Sequence, residues 1–332
     1  MSTHRSSSPG TGRITLVLFA AVAAATAYPW QTARERWVLG IGLAVVAVAL
    51  ARWRGLPVTT LLRRWTTIKR PKHGERRARR PVTETRVTAL LAVAAPEENP
   101  DLLPLPLIAG YLDRYGLHAD AIRVTSRDVG DDADARERAT WIGLTFSAVD
   151  NLAALQARSP ELPLHQTAAV AARRLADHLR EAGWGATPVE SDDIPRLDVA
   201  GSRETWHAVV QDNDDHVAAY RVTPGADVAE LLTKIWDYPT SETWVVLEIA
   251  GSGDQRTVAV AAAFRTGAAP GAGAPLAGLT PQLGSHRASL AVLHPASVQR
   301  LDGHEAISPE SLDRLRWPSS TAQRITAGSG TG

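Results

Sequence analysis

The sequence predicts an α+β protein in which a two-helix transmembrane hairpin precedes a cytoplasmic domain of mixed helices and strands. Three observations predict this class. Two apolar runs, residues 14–30 and 37–53, contain no charge before Arg52. A strongly basic segment follows them directly. The rest of the 332-residue chain alternates between helical and strand-like apolar spacing, as mixed domains do.

Each apolar run is long enough to cross a membrane when its end residues contribute. About 17 residues span about 26 Å as a helix, at ~1.5 Å per residue. The hydrocarbon core is about 30 Å thick, and side chains at the ends can extend to the interface. Only residues 31–36 separate the runs, which is enough to reverse direction and too few to cross back. The sequence therefore predicts a hairpin with a tight outer loop.

Two groups of residues support the hairpin. Amphipathic rings and basic side chains favour the headgroup layer, and the runs end on Tyr28, Trp30, Trp37, Arg52, Trp53 and Arg54. Small residues allow close helix approach, and the second run holds Gly40, Gly42 and Ala44. This small-residue stripe either packs against neighbouring subunits or faces lipid.

The charge distribution predicts the orientation. Residues 1–80 carry 15 basic and 2 acidic side chains, whereas the remainder carries a net charge of −12, so the overall charge of +1 hides an asymmetry. Basic residues near a membrane stay on the cytoplasmic side. The sequence therefore predicts a multi-pass protein of the inner membrane with both termini in the cytoplasm. Residues 52–80 are expected to contact anionic lipid headgroups, at about 1 kcal/mol per basic residue, or else an acidic partner subunit. An acidic folded part argues against nucleic-acid binding.

Other interpretations of the N-terminal segment are weaker. A secretory signal peptide would explain the basic start and residues 23–25, Ala-Ala-Ala, as a cleavage site. A second apolar run within six residues argues against that interpretation. Two buried helices of a soluble protein would not explain the tryptophans and the basic residues at the ends of the runs.

The composition along the chain predicts seven segments. They are an N-terminal tail (1–13), the hairpin (14–53), a basic linker (54–82), a first α+β unit (83–200), a second α+β unit (201–266), a linker with a C-terminal segment (267–318), and a disordered tail (319–332).

Apolar spacing predicts the elements of the first unit. In chain order they are a strand at 86–93, a helix at 105–115, strands at 121–125 and 141–147, helices at 152–158 and 167–180, and a strand at 187–190. A charged loop is expected at 127–138. The order strand, helix, strand, strand, helix, strand suits a ferredoxin-like split β-α-β unit.

The second unit is predicted to contain two hairpins around one helix. The hairpins join residues 204–210 to 217–222 and residues 244–249 to 257–264. The helix is predicted at 228–236, and a last strand at 290–293.

The sequence contains no recognisable catalytic, cofactor-binding or metal-binding pattern. It has no cysteine, which excludes disulfides, thiol nucleophiles and Cys-ligated zinc. No two histidines follow the His-Glu-x-x-His spacing, and no glycine-rich segment has the form of a phosphate loop. Asp131, Asp132 and Asp134 could hold a divalent cation through oxygen ligands, as a membrane-anchored nucleotide-sugar transferase would need. Alternatively, they form a solvated loop.

The chain resembles the EccE family of type VII (ESX) secretion membrane components. The resemblance rests on residues 28–32 and 36–40, Gly-Tyr-Leu-Asp-Arg-Tyr-Gly at 110–116, Trp-Ile-Gly-Leu-Thr at 141–145, and residues 148–158, 174–181, 204–206, 218–222 and 275–281. It covers roughly residues 14–305 and is strongest towards the paralogue linked to iron acquisition. None of these motifs is catalytic.

The resemblance implies a role and no active site. It implies a structural subunit of an inner-membrane complex with EccB, EccC and EccD, in which the EccC ATPase supplies the energy. It also implies export of small WXG100-type, PE and PPE proteins, in a system linked to iron and zinc uptake. A surface-binding protein in which residues 52–80 are the functional element remains an alternative.

Overall fold

A computed structural model of the chain describes residues 85–96, 102–130, 136–197, 202–211, 215–223, 225–253 and 255–318, together with the backbone of two short strands. The chain divides into two compact units, Met1–His73 and Gly74–Gly332. In the first, strand β1 (Arg52–Trp53) pairs antiparallel with strand β2 (Leu56–Pro57). The rest of the predicted hairpin lies outside the described residues. Within the described ranges, no helix is long and apolar enough to span a membrane.

Within the described residues, the second unit contains twelve strands, six α-helices and a short 3-10 helix, Ser191–Asp193. The strands are β3 (Arg86–Ala94), β4 (Asp113–Arg114), β5 (Leu117–Val129), β6 (Glu137–Ser147), β7 (Gly185–Val189), β8 (Arg203–Glu204), β9 (Val209–Val210), β10 (His216–Val222), β11 (Glu242–Ala250), β12 (Thr257–Thr266), β13 (Leu279–Pro281) and β14 (Glu305–Ala306). The α-helices are α1 (Leu105–Ala109), α2 (Leu152–Gln156), α3 (Leu164–Glu181), α4 (Val228–Trp236), α5 (His286–Leu293) and α6 (Pro309–Arg314).

One antiparallel sheet runs through the whole second unit. Its main order is β7-β3-β6-β5-β11-β12-β10-β9-β8, with β4, β13 and β14 pairing at the margins. The longest hairpins are β5–β6 and β11–β12, and β5 pairs with β11 from Val129 opposite Glu242 to Ile122 opposite Ile249. The strands predicted for residues 83–200 and 201–266 therefore share one sheet.

The two halves of this sheet repeat one pattern of connections. In the first half, β3, α1, the two-residue strand β4, β5 and β6 follow each other in the chain, and β6 lies between β3 and β5. In the second half, β10, α4, β11 and β12 follow each other, and β12 lies between β10 and β11. Only the first half continues through a long helix, α3, to a fourth strand beside its first. We propose a ferredoxin-like arrangement for this half, supported by its strand order β7-β3-β6-β5.

Both faces of the sheet are covered by apolar groups. On β11, Val245, Leu247 and Ile249 point to one face, where α1, α3 and α4 pack, which we call the helix face. Trp244 and Val246 point to the opposite face, where α5 packs, which we call the strap face. This alternation follows from the two-residue period of a strand. Because both faces are buried, the β11 sequence is apolar almost throughout and not alternating.

Local sequence explains the two best-defined helices. Helix α3 places Ala168, Leu175 and Leu179 on its buried side at helical spacing. Helix α4 is capped at its N-terminus by Asp227, whose carboxylate accepts hydrogen bonds from the backbone N–H groups of Ala229 and Glu230. An Asp at this position satisfies N–H groups that have no partner in the first turn of a helix.

Four sequence predictions are wrong. The strand predicted at 204–210 is two short strands, β8 and β9. The charged loop predicted at 127–138 includes the end of β5 and the start of β6.

Residues 290–293, predicted as a strand, belong to helix α5, because a run of four apolar residues fits a helix or a strand equally well. The helix predicted at 105–115 ends at Ala109. The chain then forms the short strand β4, and Tyr115 and Gly116 both adopt positive φ in the turn to β5. Two such residues are typical of a tight hairpin turn and end a helix.

Candidate functional site

The strap face of the sheet carries two buried glutamates, and a C-terminal segment lies across one of them. We call this segment, residues 294–304, the strap. Its course across the sheet requires Gly143 on β6, because a Cβ atom there would come within 2.4 Å of the Pro295 carbonyl oxygen. Arg123 on β5 donates hydrogen bonds to the carbonyl oxygens of His294 (3.2 Å) and Ser297 (2.8 Å). These contacts fix the strap to the centre of the sheet.

Glu248 on β11 is the main anchor of the strap. Its side chain is fully buried and forms an ion pair with Arg123, which lies directly opposite on β5 and is only 4% exposed. From the strap, Arg300 donates to Glu248 Oε1 at 2.7 Å, and the His304 Nε2 atom lies 2.9 Å from the same oxygen. The backbone N–H of Leu301 donates to both carboxylate oxygens at 3.3 Å. Every side of this carboxylate is therefore occupied by a donor.

These contacts keep Glu248 ionised. Burial alone would raise the pKa of this carboxyl, but the hydrogen bond from His304 and the charge and hydrogen bond of Arg123 lower it to about 2. A proton-transfer catalyst needs a pKa near the working pH. Glu248 therefore serves as a fixed negative charge and not as a general acid or base.

A second carboxylate, Glu242, lies at the other end of β11. Its Oε1 atom accepts hydrogen bonds from Arg127 Nε (2.5 Å) and Trp244 Nε1 (2.8 Å), and its Oε2 atom accepts from Arg265 Nε (2.5 Å). Burial would raise the pKa of Glu242, but these hydrogen bonds and the positive charges of the two arginines lower it. This centre joins β5, β11 and β12, and no residue of the strap contributes to it.

Two stacked indoles separate the carboxylate centres. The Trp141 and Trp244 rings lie 5.8 Å apart with an interplanar angle of 16°. Both belong to the apolar cluster that α5 and the segment at residues 194–197 cover. The strap face is thus a packed layer with an ion pair at each end. The arrangement can fix the strap and strand ends, and both carboxylates are already neutralised.

The three residues of the predicted acidic loop, Asp131, Asp132 and Asp134, lie outside the described residues. The residues that flank it are held in place. Gly130 donates its N–H to the Ser241 carbonyl oxygen (3.1 Å), and Arg136 donates to the carbonyl oxygens of Trp236 (2.7 Å) and Tyr238 (3.0 Å). Across the described parts of the chain, no three His, Cys, Asp or Glu side chains form a group that could hold a metal ion.

The predicted membrane residues also lie outside the described part of the chain. These are Tyr28, Trp30, Trp37 and Arg54 at the interface and Gly40, Gly42 and Ala44 in the packing stripe; of Arg52 and Trp53 only the backbone strand is described.

The sequence did not reveal the Glu248 centre, although a signal for it was present. A Glu stands inside the apolar stretch 244–249, and an Arg stands inside the apolar stretch 121–125. A charge in a buried strand requires a partner.

Comparison with known proteins identifies relatives over almost the whole chain. A family model described as "EccE: Putative type VII ESX secretion system translocon, EccE" matches residues 134–222. The ESX-3 secretion system protein EccE3 of Mycobacterium tuberculosis (strain ATCC 25618 / H37Rv) is 51% identical over 317 residues, which cover 95% of this chain and 94% of that protein. The ESX-3 secretion system protein EccE3 of Mycolicibacterium smegmatis is 47% identical over 293 residues, which cover 88% and 90% respectively.

Proposed function

Because the chain belongs to the EccE family of type VII secretion components, we propose that it is a non-catalytic structural subunit of an ESX-3-like complex in the inner membrane. The observation that carries the proposal is 51% identity across 95% of the chain to a protein named as an ESX-3 secretion component. The saturated Glu248 and Glu242 centres support a structural role, since both carboxylates are ionised and neutralised by arginines.

The proposed partners are the EccB, EccC and EccD components of the same complex, with EccC as the ATPase. The proposed cargo is proteins of the WXG100, PE and PPE types, in a system linked to iron and zinc uptake. In this proposal the Gly40, Gly42 and Ala44 stripe packs against neighbouring membrane helices. Residues 52–80 contact anionic headgroups through their basic side chains.

We propose that residues 14–53 form the membrane hairpin and that both termini lie in the cytoplasm. The absence of cysteine from the sequence makes this topology directly testable. A single cysteine in the outer loop, Ala33→Cys, should react with a membrane-impermeant maleimide in intact cells. A single cysteine in the tail, Ser319→Cys, should react only after the cells are lysed. Labelling of Ser319→Cys in intact cells would overturn the proposed orientation.

Complex formation is tested by size. After solubilisation of native membranes in mild detergent, the full chain should elute from a gel-filtration column in a particle many times larger than its own mass of 35.5 kDa plus a micelle. Elution as a free monomer would contradict the structural role. If the cysteines are labelled as predicted but the chain elutes as a monomer, the proposed membrane hairpin is retained and the proposed complex is rejected.

A further inference from the structure

An apolar groove with a basic rim lies at one end of the second unit. It lies between the β4–β5 turn, the α2–α3 connection and the N-terminal half of α3, and it encloses about 290 Å³. Leu117, Pro163 and Val170 provide apolar lining, whereas Arg158 and Arg174 are the charged lining residues. No carboxylate lines the groove.

Some of the exposed apolar side chains lie at this groove. Within the described ranges, seven large apolar side chains are exposed, and two of them, Tyr115 and Val170, line the groove with exposures of 50% and 41%. Leu162, in the α2–α3 connection, precedes the lining residue Pro163, and Val149 and Leu152 are exposed just before and at the start of α2. The Asn151 side chain holds the 148–152 segment against the start of β5, through hydrogen bonds of 2.8 Å with the His118 N–H and carbonyl groups. Exposed apolar side chains at a concave surface are a feature of interaction sites.

The tyrosine at the edge of the groove occupies an unfavourable position. Tyr115 and Leu162 are the two non-glycine residues with positive φ in the described part of the chain, at 57° and 51°. Tyr115 lines the groove, and Leu162 precedes the lining residue Pro163. Hairpin turns with positive φ favour Asn or Gly. The Tyr115 ring remains half exposed, with the guanidinium carbon of Arg174 at 4.4 Å and that of Arg114 at 5.4 Å from its centre. Strained residues of this kind cluster at functional sites.

A buried tyrosine contacts helix α3 at the lining residue Arg174. The buried Tyr111 hydroxyl donates to the Arg174 carbonyl oxygen at 2.9 Å, and His178 Nδ1 lies 3.1 Å from the same hydroxyl. Burial raises the pKa of Tyr111 to about 12, so the hydroxyl stays protonated and can donate. This contact ties α3 to the segment between α1 and β4. A preformed groove costs less free energy to fill than a mobile one.

We propose that this groove docks a segment of a partner subunit that inserts an apolar side chain beside an acidic one. The apolar side chain would contact Leu117 and Val170, and the carboxylate would pair with Arg158 and Arg174 beside the Tyr115 ring. Charge complementarity supports the acidic partner, because the groove is basic while residues 81–332 carry a net charge of −12. A concave site favours a protruding side chain over the flat surface of a bilayer. The inference rests on the proposed function, since it assigns a surface to subunit contact.

Photo-crosslinking tests the occupant. In the full chain expressed in its native membrane complex, Val170 is replaced with p-benzoylphenylalanine, and Val298 on the strap, which is 40% exposed, is replaced in the same way as a matched control. The Val170 probe should crosslink to a peptide of a co-purifying subunit that contains an Asp or Glu, and the Val298 probe should not reach that peptide. Crosslinking to lipid, to a peptide without an acidic residue, or to nothing while the complex forms would overturn the inference.

Charge reversal tests the rim. Arg158→Glu with Arg174→Glu should reduce the crosslink from Val170 by about tenfold or more, because like charges repel at a close contact. Arg173→Glu, on the same helix but lining a different groove, is the matched control and should leave the crosslink unchanged. Equal crosslinking of the double variant and the control would overturn only the inference. A wild-type chain that co-purifies with no other subunit would reject the proposed function and the inference together.

Discussion

Glu248 and Glu242 lie on the same strand and the same face of the sheet, yet they hold different parts of the molecule. Glu248 contacts Arg300 and His304, more than 50 residues away in the sequence, and so fixes the strap. Glu242 contacts Arg127 and Arg265 at the ends of strands beside it. Glu248 and its partner Arg123 are 0% and 4% exposed, although Arg300 of the strap is 37% exposed. Glu242 is 7% exposed, and both of its arginines are reached by water, at 17% and 29% exposed. This difference predicts that the Glu248 centre contributes to the stability of the whole fold. The Glu242 centre should affect only the neighbouring ends of β5, β11 and β12.

The largest effect is expected from Glu248→Gln. The substitution keeps the size of the side chain but leaves Arg123 buried without a counter-charge, which costs about 3–5 kcal/mol. Thermal unfolding of the full chain in detergent measures the loss. An Arg123→Gln, Glu248→Gln double variant should recover part of it, because the unpaired charge is then removed. If Glu248→Gln were as stable as wild type, Glu248 would not be the centre that stabilises the whole fold.

Acid should remove the stabilisation that the ionised Glu248 carboxylate provides. The folded-state pKa of Glu248 is about 2 and its ordinary value is 4.5. A carboxyl with a lowered pKa stabilises the fold above its ordinary value and loses that contribution as the pH falls towards the lowered one. The stability difference between wild type and Glu248→Gln should therefore shrink by about 3 kcal/mol between pH 4.5 and pH 2, at about 1.36 kcal/mol per pH unit. A difference that stays constant across this range would contradict the assignment.

Glu242→Gln should have a smaller effect, of about 2 kcal/mol, because water reaches Arg127 and Arg265 and screens the charges that remain. Hydrogen exchange should locate the change in the neighbouring ends of β5, β11 and β12, with the strap unaffected. If Glu242→Gln destabilised the chain as much as Glu248→Gln, the distinction between the two centres would fail.

Gly143→Ala should disturb the strap most, since the Thr88 methyl group on β3 would lie farther from the added group, at 3.1 Å. The added methyl group would meet the Pro295 carbonyl oxygen, so the strap must shift at a cost of about 1–2 kcal/mol. Limited trypsin digestion should then cut after Arg300 sooner than in wild type. Gly271→Ala, where nothing lies within 4 Å of the added group, is the control and should leave the cleavage rate unchanged. Equal rates for both variants would place the strap elsewhere.

The smallest expected effect concerns metal and nucleotide. Addition of Mg²⁺ or Mn²⁺ with nucleotide sugars at millimolar concentration should leave the unfolding temperature of the full chain unchanged, since a ligand stabilises only the state that it binds. A shift of several degrees that disappears when Asp131, Asp132 and Asp134 are changed to Asn would favour the transferase alternative.

Local patterns in the sequence were sufficient for several elements of the fold. The helix predicted at 228–236 has those bounds in the structure, because its apolar spacing and its Asp227 cap are both local. The hairpin predicted at 244–249 and 257–264 extends by one or two residues at most of its ends. These features depend on neighbours within a few positions, which the sequence displays directly.

The pairing of residues far apart in the sequence could not be predicted, because local patterns do not show which distant residues meet. Residues 127–138 read as a charged loop, yet β5 continues to Val129 and β6 begins at Glu137. Arg127 is neutralised by Glu242, and Arg138 by Asp128 across the hairpin, at 2.7 Å and 2.5 Å. The same holds for the Glu248 centre: a buried charge signals that some partner exists and does not identify it. The strap, whose partners lie on β5 and β11, could only be found in three dimensions.

The most direct test of the account is affinity purification of the tagged full chain from mildly solubilised native membranes, with quantitative mass spectrometry of the proteins that co-elute. A structural subunit should recover an ATPase and polytopic membrane proteins in a fixed ratio that persists through gel filtration. Recovery of the chain alone, or with a bound small molecule and no other subunit, would contradict the account.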